Sequence, residues 1–458
     1  MDIISRTLDD FKNLKITDAI EVFQKKRDEF QFVYQYPPSV TLGTHDGSWK
    51  LTNVPKELGI YVHIPFCPTR CTFCHYYRIT KPGEDVIEKY ISTLCAEIAL
   101  WEKEAKDIGS SLKNSKVNAI YLGGGTPTYL SKSQLNMVLK TIRNYFSVTE
   151  DAEICIEATP DTLGEDMLSS IKELGFNRIS IGIQTFNDDI LKKLNRNHDA
   201  ETAKKVIIEA KKIATVNVDL LFGLPRQKPL DWLDDLEEIK KLSPDFITTF
   251  LTRIKQNTPL SKIPLSEFPE QAETLFMHLL SMEALNEYHL IHDIQWAKKD
   301  NFTFQQLKWQ NNEFIGLGPS SYSYINGLVC NNFPKLSDYT DAIKNGKLPI
   351  GASSLLDAKE KFHRAVVLGL KMASGLNVSE LHDTYGFNAN DVFKDEFLLL
   401  EKNEFIKRDN DLIKPTKKGL LFINEICEMF FSDGVKKRMQ SAVDSGIEAH
   451  SICENWED

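Results

Sequence analysis

The sequence predicts an α/β protein built on a partial (β/α)6 barrel, on three observations. Between Gly59 and Ile254, short apolar runs alternate six times with amphipathic stretches. Each run is nearly continuous in its apolarity, as in parallel strands buried on both faces. Chemistry-bearing or glycine residues stand in or at the end of these runs, and barrels of this kind place their chemistry at the C-terminal ends of strands.

In chain order, GIYVHIPF (59–66) reads as the first strand, followed by a helix near 86–106. NAIYLGGG (118–125) is a strand ending in glycines, before a helix near 132–146. EICIEATP (153–160) is a strand with a helix from about 164, and RISIGIQTF (178–186) a strand with helical stretches over 188–213. VNVDLLFG (216–223) leads to a helix near 229–242, and DFITTFLTRI (245–254) is the sixth strand. Right-handed βαβ crossovers are the connection such alternation implies.

Outside the barrel the patterns differ. Residues 1–57 read as an N-terminal arm or lid: a helix, then an extended stretch in which Pro37 and Pro38 forbid helix. Residues 58–335 form the core and its extension, with a helix at 268–287 and then a turn-rich segment. Residues 336–433 read as a C-terminal helical, winged domain whose wing runs from Ile406 to Lys414. Residues 434–458 are polar and read as a frayed tail.

Composition narrows the function classes. With 42% hydrophobic and 26% charged residues the chain is of ordinary globular make-up. A net charge of −10 argues against a general nucleic-acid binder. No stretch approaches ~18 apolar residues, the minimum for a membrane span, and the N-terminus lacks the apolar core of a signal peptide. The expectation is a soluble, cytoplasmic protein with no nucleic-acid and no membrane partner. Of eight cysteines, three crowd into Cys67, Cys71 and Cys74, and five are scattered. That is no disulfide framework; it is a metal or cluster site in a reducing compartment.

The spacing C-x3-C-x2-C falls in a loop directly after a strand. Soft thiolates select zinc or an iron–sulfur cluster. A structural zinc site takes four ligands, commonly from two C-x2-C pairs; no second pair exists, and His75 sits awkwardly beside Cys74. Three thiolates would leave one iron of a [4Fe–4S] cubane without a protein ligand.

YVHIPFCPTRCTFCHYY resembles the cluster loop of the radical S-adenosylmethionine (radical SAM) superfamily, and within it the oxygen-independent coproporphyrinogen III oxidase (HemN-like) family. Further matches follow in order: YLGGGTPTYL, EATPDTL, GFNRISIGIQTF, LNRNHD, VDLLFGLP and GLGPSSYS. The resemblance implies a TIM-like radical SAM barrel, a [4Fe–4S] cluster on Cys67, Cys71 and Cys74, and reductive cleavage of SAM to a 5′-deoxyadenosyl radical. It assigns Gly123, Gly124, Gly125 and Thr126 to the loop that meets the methionyl end of SAM. Glu157, Gln184, Arg196 and Asp219 follow as SAM-site residues, with Tyr61, a ring packed on SAM, and His63, a neighbour of the cluster, as the catalytic candidates. Phe73 would cover the adenine or the cluster. Taken singly, a glycine turn, a strand acid, a core histidine or an apolar plug would each have a plain structural reading.

The family also carries a similar C-terminal domain over the barrel mouth, so the winged segment reads as a substrate lid. The strict oxidases have a fourth cysteine two residues after the third; here that position is Tyr76. The reading that follows is methyl or methylene transfer to an sp2 carbon of a planar aromatic or heteroaromatic small molecule, using two SAM molecules and a reductant such as flavodoxin or ferredoxin. The alternatives are a tetrapyrrole enzyme, either decarboxylating coproporphyrinogen or opening haem, and a haem-binding trafficking protein.

Overall fold

The structure, a computed structural model, describes residues 3–23, 33, 35–256, 258–299 and 303–445. Six parallel strands stand where the apolar runs place them: β1 (Glu57–Ile64), β2 (Lys116–Gly124), β3 (Ser147–Ala158), β4 (Arg178–Gln184), β5 (Thr215–Phe222) and β6 (Phe246–Leu251). They pair in chain order, with His63 opposite Gly123 and Gly182 opposite Asp219. Helices Glu84–Asp107, Lys132–Tyr145, Glu165–Leu174, Ala200–Ala210 and Pro229–Leu242 supply the crossovers. Local chemistry sets their ends. Ser131 and Gln134 form a capping box, Asp199 caps through the Thr202 N–H, and Gly175 closes its helix at a φ of 82°.

The sheet extends beyond the six strands. A seventh parallel strand, β7 (Phe314–Leu317), lies on the other flank of β1, with Phe314 opposite Gly59. Strands Tyr322–Ile325, Leu328–Asn332 and Ile350–Leu355 continue from it antiparallel, and Gly43–Thr44 of the arm pairs at the edge. Gln295–Ala297 and His289–His292 extend the β6 side. The thirteen strands make one linear order whose ends do not pair, so the barrel is partial.

The arm wraps the molecule. Helix Ile3–Asn13 packs on helix Gln271–Ala284, and Lys417 of the C-terminal domain bridges Asp10 and Glu283. Tyr36 is fully buried, donates to Glu360 at 2.5 Å, and accepts from the Ser432 N–H. The expected wing is a hairpin, Ile406–Asp409 with Leu412–Pro415. The reading of residues 434–458 as a frayed tail is corrected over its first part. Asp433–Asp444 is a helix, capped by Ser432 and seated through buried Val435 and a bond from Arg438 to the Thr41 carbonyl. One buried apolar residue in a polar helix left no periodic signal. Residues 446–458 lie outside the described residues. Among the described residues no helix is long and apolar enough to cross a membrane.

The inward face of the barrel carries a row of accessible side chains. In β1, β3 and β5, half-buried Tyr61, Glu157 and Asp219 are each flanked by buried residues. An inward-facing residue of a barrel strand retains surface only where it lines a space, so these residues line a lumen.

Candidate functional site

The cysteine loop leaves β1 and is fastened at several points. The Ile79 N–H bonds to the Pro65 carbonyl at 2.6 Å and the Lys81 N–H to the Cys67 carbonyl at 3.0 Å. Arg78 donates to the Cys74 and Tyr76 carbonyls at 3.2 and 2.9 Å. Cys67, Cys71 and Cys74 are free thiols close enough to act on one another electrostatically. Burial pushes the Cys67 thiol up to about 12 and raises that of Cys74, while Arg78 acts the other way on both. Metal ligation reverses this by deprotonating a coordinating thiol outright.

Two of the sulfurs receive hydrogen bonds. The Thr126 hydroxyl donates to Cys67 Sγ at 3.6 Å, and Arg196 Nη1 to Cys71 Sγ at 3.2 Å. Arg196 also donates to the Gly182 carbonyl. Among the described residues, no three His, Cys, Asp or Glu side chains converge on a single-ion site. Three thiols grouped in one loop, two of them hydrogen-bonded and flanked by Arg78 and Arg196, fit a thiolate-held cluster. Cys67, Cys71 and Cys74 would hold it, and with SAM bound it would supply one-electron reductive cleavage of the sulfonium.

The glycine loop is shaped by what surrounds it. Gly124 has a φ of 102°, and a Cβ there would lie 2.5 Å from the His63 ring. At Gly125 a Cβ would meet the Ile64 and Phe66 carbonyls at 2.7 Å. At Gly123 it would meet Tyr121 and Glu157 at 2.8–2.9 Å. The loop is therefore pressed onto β1 at Gly124 and Gly125, where only glycine fits, and at Gly123 it lies against the Tyr121 and Glu157 side chains. Thr126 continues it, its N–H bonded to the Phe66 carbonyl at 2.8 Å.

Glu157 accepts from the Tyr121 hydroxyl at 2.7 Å and the Gly124 N–H at 3.0 Å. Burial outweighs both bonds and pushes its carboxyl up to about 7, with Asp219 adding a like charge. Asp219 accepts from Asn217 at 2.7 Å and Ser180 at 3.2 Å, and burial raises its carboxyl too. Gln184 closes β4 at a φ of 79°, near Gly182.

Tyr61 and His63 share one face of β1, their side chains joined at 3.2 Å. Burial drives His63 down to about 4, so the ring is neutral. Its Nε2 lies 3.3 Å from the Tyr77 carbonyl, which only accepts, so Nε2 carries the proton and Nδ1 accepts from Tyr61. The Tyr90 hydroxyl donates to the His63 carbonyl from behind.

The structure thus links most of the expected residues in one chain of contacts. Cys67 meets Thr126, Cys71 meets Arg196, and Arg196 meets Gly182 beside Gln184. Gly124 meets Glu157 and His63, His63 meets Tyr61, and Glu157 senses Asp219. Phe73 stands apart, packing with Ile190, Leu194, Leu221, Leu224 and Phe250. Sequence reasoning missed Tyr121 and Arg78. Tyr121 sits two residues before Gly123, on the same face of β2, so strand alternation was the available signal. Arg78 was marked only by its nearness to the thiols.

A family model of the radical SAM superfamily matches residues 61–239, and one of the HemN C-terminal domain matches residues 356–422. The oxygen-independent coproporphyrinogen III oxidase of Escherichia coli is 27% identical over 397 residues, covering 82% of this chain and 85% of its own. That of Synechocystis is 28% identical over 445 residues, 90% of this chain and 94% of its own. The heme chaperone HemW of Bacillus subtilis is 26% identical over 387 residues, 81% of this chain and 99% of its own. The solved structure of E. coli coproporphyrinogen III oxidase (HemN), described as a radical SAM enzyme, superposes with a TM-score of 0.73 at 26% identity, covering 89% of this chain and 95% of that one. The chain belongs to the radical SAM superfamily. Within it, the chain is of the HemN family, joining the SAM domain to a HemN C-terminal domain.

Proposed function

We propose that this protein is a radical SAM enzyme acting on a tetrapyrrole. Cys67, Cys71 and Cys74 hold the [4Fe–4S] cluster, and Gly123–Thr126, Glu157, Gln184, Arg196 and Asp219 hold SAM. Tyr61 and neutral His63 stand between the cluster and the lumen. The observation that carries the reading is the match along nearly the whole chain to coproporphyrinogen III oxidases, in sequence and in fold. The methyl- or methylene-transfer reading, with its second SAM, has no counterpart among these relatives, so the tetrapyrrole reading leads. Tyr76, where the strict oxidases carry cysteine, leaves the reaction itself open within that class.

A haem-carrying role is the second reading, favoured by the HemW relatives. One feature supports the enzyme over the carrier. The hydrogen-bonded cradle of Glu157, Tyr121 and Gly124 is more than a carrier needs.

The test is anaerobic. Reconstituted, reduced protein is given SAM with coproporphyrinogen III or haem, and products are followed by mass spectrometry. 5′-Deoxyadenosine formation accelerated by a tetrapyrrole, with a mass change in that tetrapyrrole, supports the proposal. Tight haem binding with no such acceleration supports the carrier. S-Adenosylhomocysteine formed with a non-tetrapyrrole aromatic, and no tetrapyrrole turnover, restores the transfer reading.

A further inference from the structure

The cysteine loop has a solvent-facing side whose charge is unlike that of the chain. Three segments meet there. The N–H of Thr72, the residue after Cys71, bonds to the Leu194 carbonyl at 3.2 Å, and its carbonyl accepts from the Leu260 N–H at 3.0 Å. The Thr72 hydroxyl donates to the Lys193 carbonyl at 3.4 Å, and the Asn195 side chain to the Arg70 carbonyl at 2.7 Å. Residues 67–81, 192–198 and 252–266 thus share one junction, and together they hold nine Lys and Arg and no Asp or Glu. The whole chain carries −10.

Two of these cations point into the site, Arg78 on the Cys74 carbonyl and Arg196 on the Cys71 sulfur. Lys192, Lys193 and Lys262 are exposed instead. Tyr76 and Leu265 are exposed on the same segments, with the Tyr76 ring stacked on His75, two residues from Cys74. Acids stand at the margins and are engaged there. Asp189 lies 3.8 Å from Lys192, an exposed pair of little strength. Asp188 accepts from the Ala200 N–H, Asp199 caps the helix that follows, and Glu267 pairs with Arg226. Like charges gathered on one face steer an oppositely charged partner and raise its association rate by roughly 10- to 1,000-fold. A charged rim with aromatic contact is the make-up of a protein interface.

The chemistry beneath this face selects the partner. Each SAM cleaved takes one electron delivered to the cluster: the donor is oxidised by one electron, and the cluster goes from 2+ to 1+. We propose that the face of Lys192, Lys193 and Lys262 around Thr72, with Tyr76 and Leu265, is the docking surface of an acidic one-electron carrier protein that reduces the cluster. The proposal rests on the assignment of the cluster to Cys67, Cys71 and Cys74, and it adds where the electron enters.

The test follows reduction of the reconstituted full chain by anaerobic stopped-flow absorbance, with two donors: a purified acidic flavodoxin as hydroquinone, and reduced methyl viologen, a small cation. The wild-type rate with flavodoxin should fall as salt rises. Lys193→Glu with Lys262→Glu should slow flavodoxin by roughly tenfold or more and leave viologen as fast or faster. Lys193→Arg with Lys262→Arg keeps the flavodoxin rate, and so does Lys407→Glu, the same charge change in the C-terminal wing. An unchanged flavodoxin rate in the double Glu variant, or a wild-type rate indifferent to salt, overturns the docking surface and leaves the cluster standing. Equal slowing with both donors marks damage to the loop and also overturns it. An oligonucleotide bound by the wild type and released by the double Glu variant, with the flavodoxin rate unchanged, assigns the lysines to nucleic acid and overturns the donor. A wild type that viologen cannot reduce overturns the cluster assignment and the docking surface with it.

Discussion

At Glu157, burial and hydrogen bonding pull in opposite directions. The Tyr121 and Gly124 donors favour the carboxylate, yet burial holds the group near 7. It is therefore neutral below about pH 7 and charged above. If it receives the ammonium of SAM, affinity rises as pH goes from 6 to 8, and a proton leaves on binding at the lower end. Glu157→Gln flattens that profile and weakens SAM by roughly 10- to 100-fold, as for a lost charge-assisted hydrogen bond. Equilibrium SAM titration at three pH values checks both. Thr126 tests the sulfur bonds. Hydrogen bonds to cluster sulfurs tune the potential, raising it as they stabilise the reduced state. Thr126→Val should lower the midpoint potential in an EPR-monitored redox titration while the cluster still assembles. At this scale the thiols were legible because three soft ligands in one loop have few other readings. Arg78 was not, because only the folded cysteine loop brings it onto the Cys74 and Tyr76 carbonyls beside the thiols.

Among the elements, helix Glu84–Asp107 does more than cross over the sheet. Its buried Glu97 accepts from the Gly318 N–H, Asn332 and Tyr339, so it anchors the loop after β7 behind His63. Burial pushes the Glu97 carboxyl up to about 7, above its ordinary 4.5. The folded state thus holds this proton more tightly than the unfolded chain. That contribution to stability is complete below about pH 4.5 and is lost as pH rises to about 7. Between pH 5 and 7.5 the wild type should lose more stability in urea melts than Glu97→Gln does. An identical slope in both would show that Glu97 does not titrate there. The six barrel strands were legible because burial on both faces makes them continuous apolar runs. Strand β7 was not: FIGL is four residues in a turn-rich stretch, and its parallel pairing with β1 joins residues about 255 positions apart.

The whole molecule is tied together by its arm. Tyr36 links the arm to Glu360 and Ser432 of the C-terminal domain, and Arg364 donates to its carbonyl. Tyr36→Phe removes the donor to the half-buried Glu360 carboxylate and strands the buried Ser432 N–H, and should cost about 1–3 kcal/mol in a denaturant melt. A wrapping arm was legible from Pro37 and Pro38. Its attachment was not, since a buried tyrosine's partners lie more than 300 residues away in sequence.

The central claim is that the loop of Cys67, Cys71 and Cys74 holds a [4Fe–4S] cluster that reductively cleaves SAM. The most direct measurement is EPR of the anaerobically reconstituted, reduced protein with and without SAM, with 5′-deoxyadenosine counted in the same samples. The account predicts a [4Fe–4S]+ signal that SAM perturbs, and 5′-deoxyadenosine, with all three lost in Cys67→Ala, Cys71→Ala and Cys74→Ala and kept in Cys95→Ala. A cluster signal indifferent to SAM, or SAM cleavage surviving in any one of the three alanine variants, would contradict it.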